Sequence, residues 1–166
     1  MLENIDDCRE VISSKNFFIQ DKDGSSPAFI KYDNGQFEVI NTIEDDINFL
    51  KIDDCIYTSE DKSRCDCAIF NDKVFCFIEL KTLETKKGKT KKERRKTAEK
   101  QLKHTIYNFK DESILQNKNK EAYVSFTCNI DGKLTEIPNI GNADKKLEFK
   151  DDLDTDLKYS CKKEFN

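Results

Sequence analysis

The sequence contains few of the residues that interrupt regular structure, with two prolines and five glycines in 166 residues. We therefore expect helices and strands, rather than long linkers, to make up most of the chain. No apolar stretch approaches the roughly 20 residues that a membrane-spanning helix needs. A single histidine, His104, is present, and we expect it at the surface or against a phosphate. These shortages exclude a linker-rich chain and a helical membrane protein.

The remaining composition fits one folded domain covering residues 1–166. At 19.4 kDa the chain is long enough to bury a core without disulfides or metals. Charged residues make up 37% of the chain and hydrophobic residues 36%. The apolar residues must therefore be concentrated in a few strands and one or two helices, and we expect an α/β fold.

Seven cysteines are present, but we do not expect a disulfide framework. Their number is odd, and the start of the sequence is acidic and polar, without a secretory signal. Buried free thiols in a cytoplasmic protein are the simplest interpretation. A zinc site at Cys65, Cys67 and Cys76 is a weaker alternative, because these residues fall on two strands and the only histidine is distant in sequence.

The segment from Arg64 to Thr82 has the pattern of an antiparallel hairpin. Apolar residues precede and follow the polar turn Asn71–Lys73. Side chains alternate along a strand, so Glu79 and Lys81 must lie on one face. Asp66 falls on the neighbouring predicted strand, where the register can bring its carboxylate towards that of Glu79.

Two neighbouring carboxylates in an apolar setting require a cation. Mg²⁺ prefers oxygen ligands, and Asp66, Glu79 and the backbone carbonyl of Leu80 would supply them. A water activated beside Lys81 would then be placed to attack a phosphodiester. An ordinary hairpin with a surface salt bridge is the alternative interpretation of the same residues.

Asp66, followed thirteen positions later by Glu79-Leu80-Lys81, resembles the PD-(D/E)XK nuclease superfamily. The similarity covers roughly residues 47–127, within a core of about 42–130, and Cys65 stands where the motif has proline. The resemblance implies a restriction-endonuclease-like mixed β-sheet flanked by helices. It also implies metal ligation by Asp66 and Glu79, orientation of the attacking water by Lys81, and a water or phosphate contact from Gln101 on the following helix. A surface position for Gln101 remains an equal alternative.

The rest of the chain is predicted from local patterns. Helices are expected over Leu2–Lys15 and Lys91–Phe109, the second from a stripe of apolar residues at helical spacing. An additional N-terminal hairpin is expected around Asn34-Gly35, a pair that accepts the positive φ of tight turns. The other predicted strands are Ile47–Tyr57, Ala122–Ile130 and Leu147–Phe149. By resemblance, Glu44 or Asp54 is the candidate for an additional upstream acid.

Charge is unevenly distributed along the sequence. Residues 81–103 contain eleven basic and three acidic side chains, a local balance of +8, whereas the rest of the chain carries −12. Such a block can hold the phosphates of a nucleic acid, although charge runs are also common on solvated helix faces. The predicted phosphate contacts are Lys86, Lys87, Lys89, Lys91, Lys92, Arg94 and Arg95.

These patterns together predict a Mg²⁺- or Mn²⁺-dependent nuclease, more specifically an endonuclease, that cleaves DNA, with RNA as the second choice. Backbone contacts position a substrate without reading its sequence. By analogy, a homodimer or a controlling partner protein, for instance in a bacterial defence or DNA-processing system, would restrain the activity. The alternative is a catalytically inactive nuclease-like module, such as an adaptor or immunity protein, that binds nucleic acid or a partner protein.

Overall fold

The computed structural model describes residues 2–21, 26–58, 63–83, 88–137 and 142–166. The side chains of residues 88–90 and 130 are outside this description. Lys86, Lys87 and the side chain of Lys89, predicted as phosphate contacts, therefore lie outside the described residues.

The described residues form strands, two α-helices and two short 3-10 helices at Asp6–Cys8 and Ser113–Leu115. The α-helices are α1 (Gly88–Phe109) and α2 (Ala143–Leu153). The strands are β1 (Arg9–Ile12), β2 (Asn16–Gln20), β3 (Phe29–Lys31), β4 (Phe37–Asn41), β5 (Ile47–Lys51), β6 (Cys67–Phe70), β7 (Val74–Leu83), β8 (Asn119–Ile130), β9 (Lys133–Glu136), β10 (Thr155–Tyr159) and β11 (Lys162–Phe165).

The strands form two mixed sheets. The first has the order β1-β5-β6-β7-β8-β10, with β9 paired to β8. Its pairs are antiparallel from β1 to β7, and β8 then pairs in parallel with both β7 and β10. The helix α1 is the crossover between the parallel strands β7 and β8. The second sheet has the order β11-β4-β2-β3.

The central strands β6 and β7 of the first sheet are buried on both faces, which explains the nearly continuous apolar sequence of β7. Phe75 and Phe77 face a core that includes Leu102 of α1 and Phe149 of α2. The alternate residues Cys76 and Ile78 face a second core, shared with the inner side of the second sheet. The molecule thus has three layers, with helices on one side of the first sheet and the second sheet on the other.

The predicted central hairpin, the helix α1 and the strand β8 are confirmed. The predicted stripe on α1 is buried, and β7 and β8 pair over ten residues. An α/β architecture is therefore confirmed. In the described part of the chain, no helix combines the length and apolarity needed to cross a bilayer.

The predicted helix over Leu2–Lys15 is wrong. The 3-10 helix Asp6–Cys8 is followed directly by β1, which pairs antiparallel with β5. Ile12 is buried between the sheets, whereas its neighbour Val11 is 56% exposed. The apolar residues of this segment therefore alternate as in a strand, and pairing with a distant strand outweighs the helical spacing.

The predicted N-terminal hairpin is also wrong, although its two strands exist. β3 and β4 do not pair with each other, because β2 lies between them. β3 pairs with one edge of β2, and β4 pairs with the other edge. Gly35 is required for space: a Cβ there would lie 2.7 Å from the Cβ of Phe18. Close packing of the loop on β2, rather than a tight turn, selects this glycine.

Two other predictions need correction. Leu147–Phe149 lies inside α2, whose first turn is capped by the Asn142 side chain accepting from the backbone amides of Asp144 and Lys145. The predicted strand Ile47–Tyr57 ends at Lys51. Beyond it, the chain turns at residues 53–57 and returns to form a short bridge between Asp53 and Tyr57.

The prediction that all seven cysteines are free is wrong. Cys8 and Cys55 form a disulfide between the 3-10 helix and the turn after β5. The five free cysteines are all buried, as expected. Cys65 faces the helix-side core and Cys67 and Cys76 face the core between the sheets, so the zinc alternative is not supported.

Candidate active site

Asp66 lies in a bend immediately before β6, not within the strand as predicted. Its backbone carbonyl accepts from the amides of Ile52 and Asp53, both at 3.1 Å. Its carboxylate Oδ2 accepts from the amide of Leu80 on β7 at 2.6 Å. The carboxylate therefore takes the place of a backbone acceptor at the end of the β6–β7 ladder, which fixes its orientation.

The helix α1 holds the residues before Asp66. The Arg64 carbonyl accepts from Gln101 Nε2 at 3.0 Å, and the Cys65 amide donates to Thr105 Oγ1 at 2.8 Å. Gln101 and Thr105 are separated by one helical turn, and both lie on the face of α1 toward the sheet. The helix therefore sets the position of the chain that leads into the candidate ligand.

Glu79 lies beside Asp66 and is almost completely buried, with 1% of its surface exposed. Its Oε2 accepts from the Asp66 amide at 3.2 Å, and its Oε1 is 2.7 Å from Lys81 Nζ. The predicted shared face of Glu79 and Lys81 is confirmed by this contact. The side chains of Asp66 and Glu79 thus point into one place rather than to opposite sides of the sheet.

Lys81 and Gln101 form the next layer of the site. Lys81 Nζ donates to Gln101 Oε1 at 2.9 Å. Since Gln101 Nε2 donates to the Arg64 carbonyl, both ends of this amide are engaged within the protein. The structure therefore brings Gln101 to the site, but as a holder of Lys81 rather than as a group facing open solvent.

Burial and charge act together on the two carboxylates. Burial raises the pKa of Asp66 well above its usual value, and the charges of Glu79 and Asp21 raise it further. Burial likewise raises the pKa of Glu79 to about 7, although the Lys81 ammonium opposes the shift. Near neutral pH, a proton or a bound cation is therefore needed to offset the burial of these two carboxylates and the repulsion between their charges.

The four residues predicted for catalysis, Asp66, Glu79, Lys81 and Gln101, line one cleft of about 570 Å³. Its lining is Gln20, Asp21, Gln36, Asp53, Asp66, Glu79, Leu80, Lys81, Thr82, Arg94, Gln101, Asn129 and Leu134. Four of these residues are carboxylic acids, whereas Lys81 and Arg94 are the basic ones. This acid excess would repel a phosphate unless cations were bound.

We compared the chain with known proteins. No family model, curated protein or solved structure matches it.

Sequence reasoning missed two acids of the cleft, Asp21 and Asp53. Asp21 follows β2 of the second sheet, and its backbone amide donates to Gln36 Oε1 at 2.6 Å. Asp53 pairs with the guanidinium of Arg64. The proximity of these acids to Asp66 depends on how the second sheet packs and on the turn after β5, so no local pattern in the sequence identifies them.

The upstream acids considered from the sequence, Glu44 and Asp54, do not line this cleft. Glu44 is exposed and lies 3.3 Å from the ammonium of Lys15. Both residues have positive φ, 52° and 60° respectively, so each is placed in a turn. Both acids therefore lie in turns rather than in the cleft lining, and neither is a candidate ligand.

The described side chains among the predicted phosphate contacts differ in their exposure and in their distance from the cleft. Arg94 lines the cleft, and Lys92 is exposed on the same helix. Arg95 instead lies 3.5 Å from the buried carboxylate of Glu99, and Lys91 is half-buried. His104 is exposed and is absent from the cleft lining. Arg94 is thus the basic residue of the predicted set that adjoins the candidate site.

The residues fit a hard divalent cation. Among the described residues, no three His, Cys, Asp or Glu side chains form a ready metal cage. Mg²⁺ does not require one, since it keeps several waters and commonly uses one or two carboxylates. Asp66 and Glu79 would hold it, with Leu80 in the lining beside them.

Proposed function

We propose that the protein is a Mg²⁺- or Mn²⁺-dependent nuclease with a restriction-endonuclease-like core, acting on DNA. The observation that carries this proposal is the convergence of Asp66, Glu79 and Lys81 in one cleft, from sequence positions that match the PD-(D/E)XK pattern. The order of β5, β6, β7, α1 and β8 supports the fold assignment.

Each residue has a role that follows from its contacts. Asp66 and Glu79 bind the cation, which supplies Lewis acidity toward a phosphodiester when bound. The Lys81 ammonium has three N–H donors. Two of them are directed to Glu79 and Gln101. The third is available to orient an attacking water or to stabilise the charge that develops on the phosphate.

The test is metal-dependent cleavage by purified variants. Asp66→Asn retains an acceptor for the Leu80 amide but loses the carboxylate, and Lys81→Ala removes the ammonium. Each change should lower the cleavage rate by at least about 100-fold, the scale expected when one charge-stabilising group is lost. Asp72→Ala changes an exposed acid in the turn of the same hairpin and serves as the control.

Circular dichroism and thermal unfolding of each variant separate lost chemistry from lost folding. A folded Asp66→Asn variant that cleaves at the wild-type rate would contradict the assignment of Asp66 as a metal ligand of the nuclease. The expected activity requires added Mg²⁺ or Mn²⁺ and disappears with a chelator.

A second candidate is a non-catalytic nuclease-like module that binds a partner. One observation favours it: both carboxylates already have internal partners, the Leu80 amide for Asp66 and the ammonium for Glu79. Calorimetry with Mn²⁺ discriminates the two candidates. Binding that disappears in Asp66→Asn supports the nuclease, whereas the absence of binding to the wild-type protein supports the module.

A further inference from the structure

We infer that the substrate enters as a single strand, either a free strand or an unpaired segment beside a duplex, and that an intact duplex is excluded. This inference rests on the proposed function, because it concerns the strand that would reach Asp66 and Glu79.

The first observation is the depth of the site. Glu79 is 1% exposed and Asp66 8% exposed, so both carboxylates lie at the floor of the cleft. Oxygen atoms bound to one Mg²⁺ are each about 2.1 Å from it. A phosphate must therefore descend to the floor before it can share a cation with these residues.

The second observation is that different elements surround this floor. Arg94 and Gln101 of α1 form one side, and Gln20 with Asp21 at the end of β2 form another. Asn129 of β8 and Leu134 of β9 line a third. A phosphodiester in a duplex carries a sugar and a base fixed to the opposite strand, whereas an unpaired strand can enter with its sugar and base turned aside.

The third observation is the size of the cleft. Its volume of about 570 Å³ lies within the roughly 300–1,000 Å³ typical of pockets that enclose one small ligand. A space of this size suits a single small ligand rather than a base-paired segment. A paired segment would have to remain outside, above the floor.

The lining also indicates what is recognised. None of its described residues is aromatic, so this part of the lining offers no ring for the base stacking common in single-strand binding. Its polar groups can bind sugar and phosphate. We therefore expect little dependence on base sequence.

The experiment compares one labelled DNA sequence in three forms with Mn²⁺: as a free single strand, as a blunt duplex, and as a duplex with a single-stranded overhang. We expect cleavage of the free strand and of the overhang, with cuts confined to unpaired nucleotides. The blunt duplex should be cut at least 10-fold more slowly.

Two outcomes overturn different statements. Equal or faster cleavage of the blunt duplex overturns the single-strand inference and leaves the proposed nuclease intact. Absence of metal-dependent cleavage with every form overturns the proposed function, and the inference with it.

Matched charge variants test the route into the cleft. Arg94→Gln and Lys96→Gln each remove one positive charge from α1, but Lys96 is exposed and absent from the cleft lining. For a single-stranded oligonucleotide, Arg94→Gln should reduce the slope of log affinity against log salt by about 0.7, the value for one phosphate contact. Lys96→Gln should leave that slope unchanged, and equal slopes for both variants contradict entry past Arg94.

Discussion

The Gln101 side chain shows how a predicted site residue acquired a different role. The resemblance to the PD-(D/E)XK superfamily implies a contact of Gln101 with water or phosphate, and a surface position is the alternative. In the structure its carbonyl oxygen binds the Lys81 ammonium and its amide nitrogen binds the Arg64 carbonyl. Gln101 therefore contacts Lys81 and the chain before Asp66 at the same time, and in the proposed nuclease it would be a positioning residue.

Replacing Gln101 by Ala should lower kcat about 10- to 100-fold, the effect typical of groups that orient a metal-site residue. KM should change little, because both ends of the Gln101 amide are already engaged within the protein. Steady-state kinetics at saturating Mn²⁺ measure both constants. Gln116→Ala, at an exposed site, is the control; a raised KM with unchanged kcat would instead indicate a phosphate contact.

The residues of the site differ in how far the sequence could predict them. Glu79 and Lys81 lie on β7, and Asp66 lies immediately before β6. A short turn joins these two strands, so the local hairpin pattern was sufficient to predict that the three residues come together. Asp21 enters the cleft from a segment distant in sequence, and Asp53 enters it from the turn after β5. Their positions depend on sheet packing and on the turn after β5, neither of which has a local signature.

At the level of elements, the turn after β5 joins the disulfide to the candidate site. Cys55 lies between Asp53, whose amide donates to the Asp66 carbonyl at 3.1 Å, and Tyr57, whose amide donates to the Ile52 carbonyl at 3.1 Å. Cys8 links this turn to the start of β1. The disulfide therefore restrains two segments that both adjoin the first sheet.

The Cys8–Cys55 bond closes a loop with a sequence separation of 47, and its chain-entropy contribution is about 4 kcal/mol. Cys8→Ser, or reduction, should lower the free energy of unfolding by about 2–4 kcal/mol. Urea unfolding with and without reductant measures this difference. A Cys8→Ser/Cys55→Ser variant is the control and should not respond to reductant.

Counting thiols in denatured protein tests the bond directly. Five should react before reduction and all seven afterwards. Seven reactive thiols without reductant would show that the bond does not form and would confirm the expectation from the sequence.

Elements with a strong local period could be predicted, whereas the pairing of strands that are distant in sequence could not. The apolar stripe of α1 and the hairpin turn between β6 and β7 are local signals. In contrast, β1 was predicted as part of a helix although it pairs with β5, and β3 and β4 each pair with β2 instead of with each other. The segment Leu147–Phe149 was too short for its pattern to distinguish a strand from the helix α2.

At the scale of the whole molecule, Glu121 connects the two sheets. This residue of β8 lies 3.0 Å from Lys163 of β11 and 3.2 Å from Lys158 of β10, and accepts from Tyr123 at 2.6 Å. Burial alone would raise the pKa of Glu121. The hydrogen bonds from Tyr123 and Lys163 and the lysine charges outweigh it and lower the pKa to about 2.

Because this pKa is depressed in the folded protein, the ionised carboxylate stabilises the fold above its ordinary pKa of 4.5. That contribution is lost as the pH falls toward 2. Glu121→Gln should lower the free energy of unfolding by about 2 kcal/mol at pH 7, the scale of hydrogen bonds to a charged group. Denaturant unfolding at pH 7, 4.5 and 3 should show this difference shrinking.

Glu164→Gln changes an exposed acid on β11 and is the control, with little effect at any of these pH values. A deficit in Glu121→Gln that stays constant from pH 7 to pH 3 would contradict an ionic origin. In that case shape or packing, rather than charge, would join the sheets at this point.

The pairing of β4 with β11 also determines when the second sheet can be completed during synthesis. Residues 38–41 pair in parallel with residues 162–165, so β4 lacks this neighbour until Phe165 has left the ribosome. An unpaired strand edge can template pairing with other chains, and long-range pairing slows folding. The nascent chain therefore passes through a period in which one edge of β4 is open to intermolecular association, and slower translation lengthens that period.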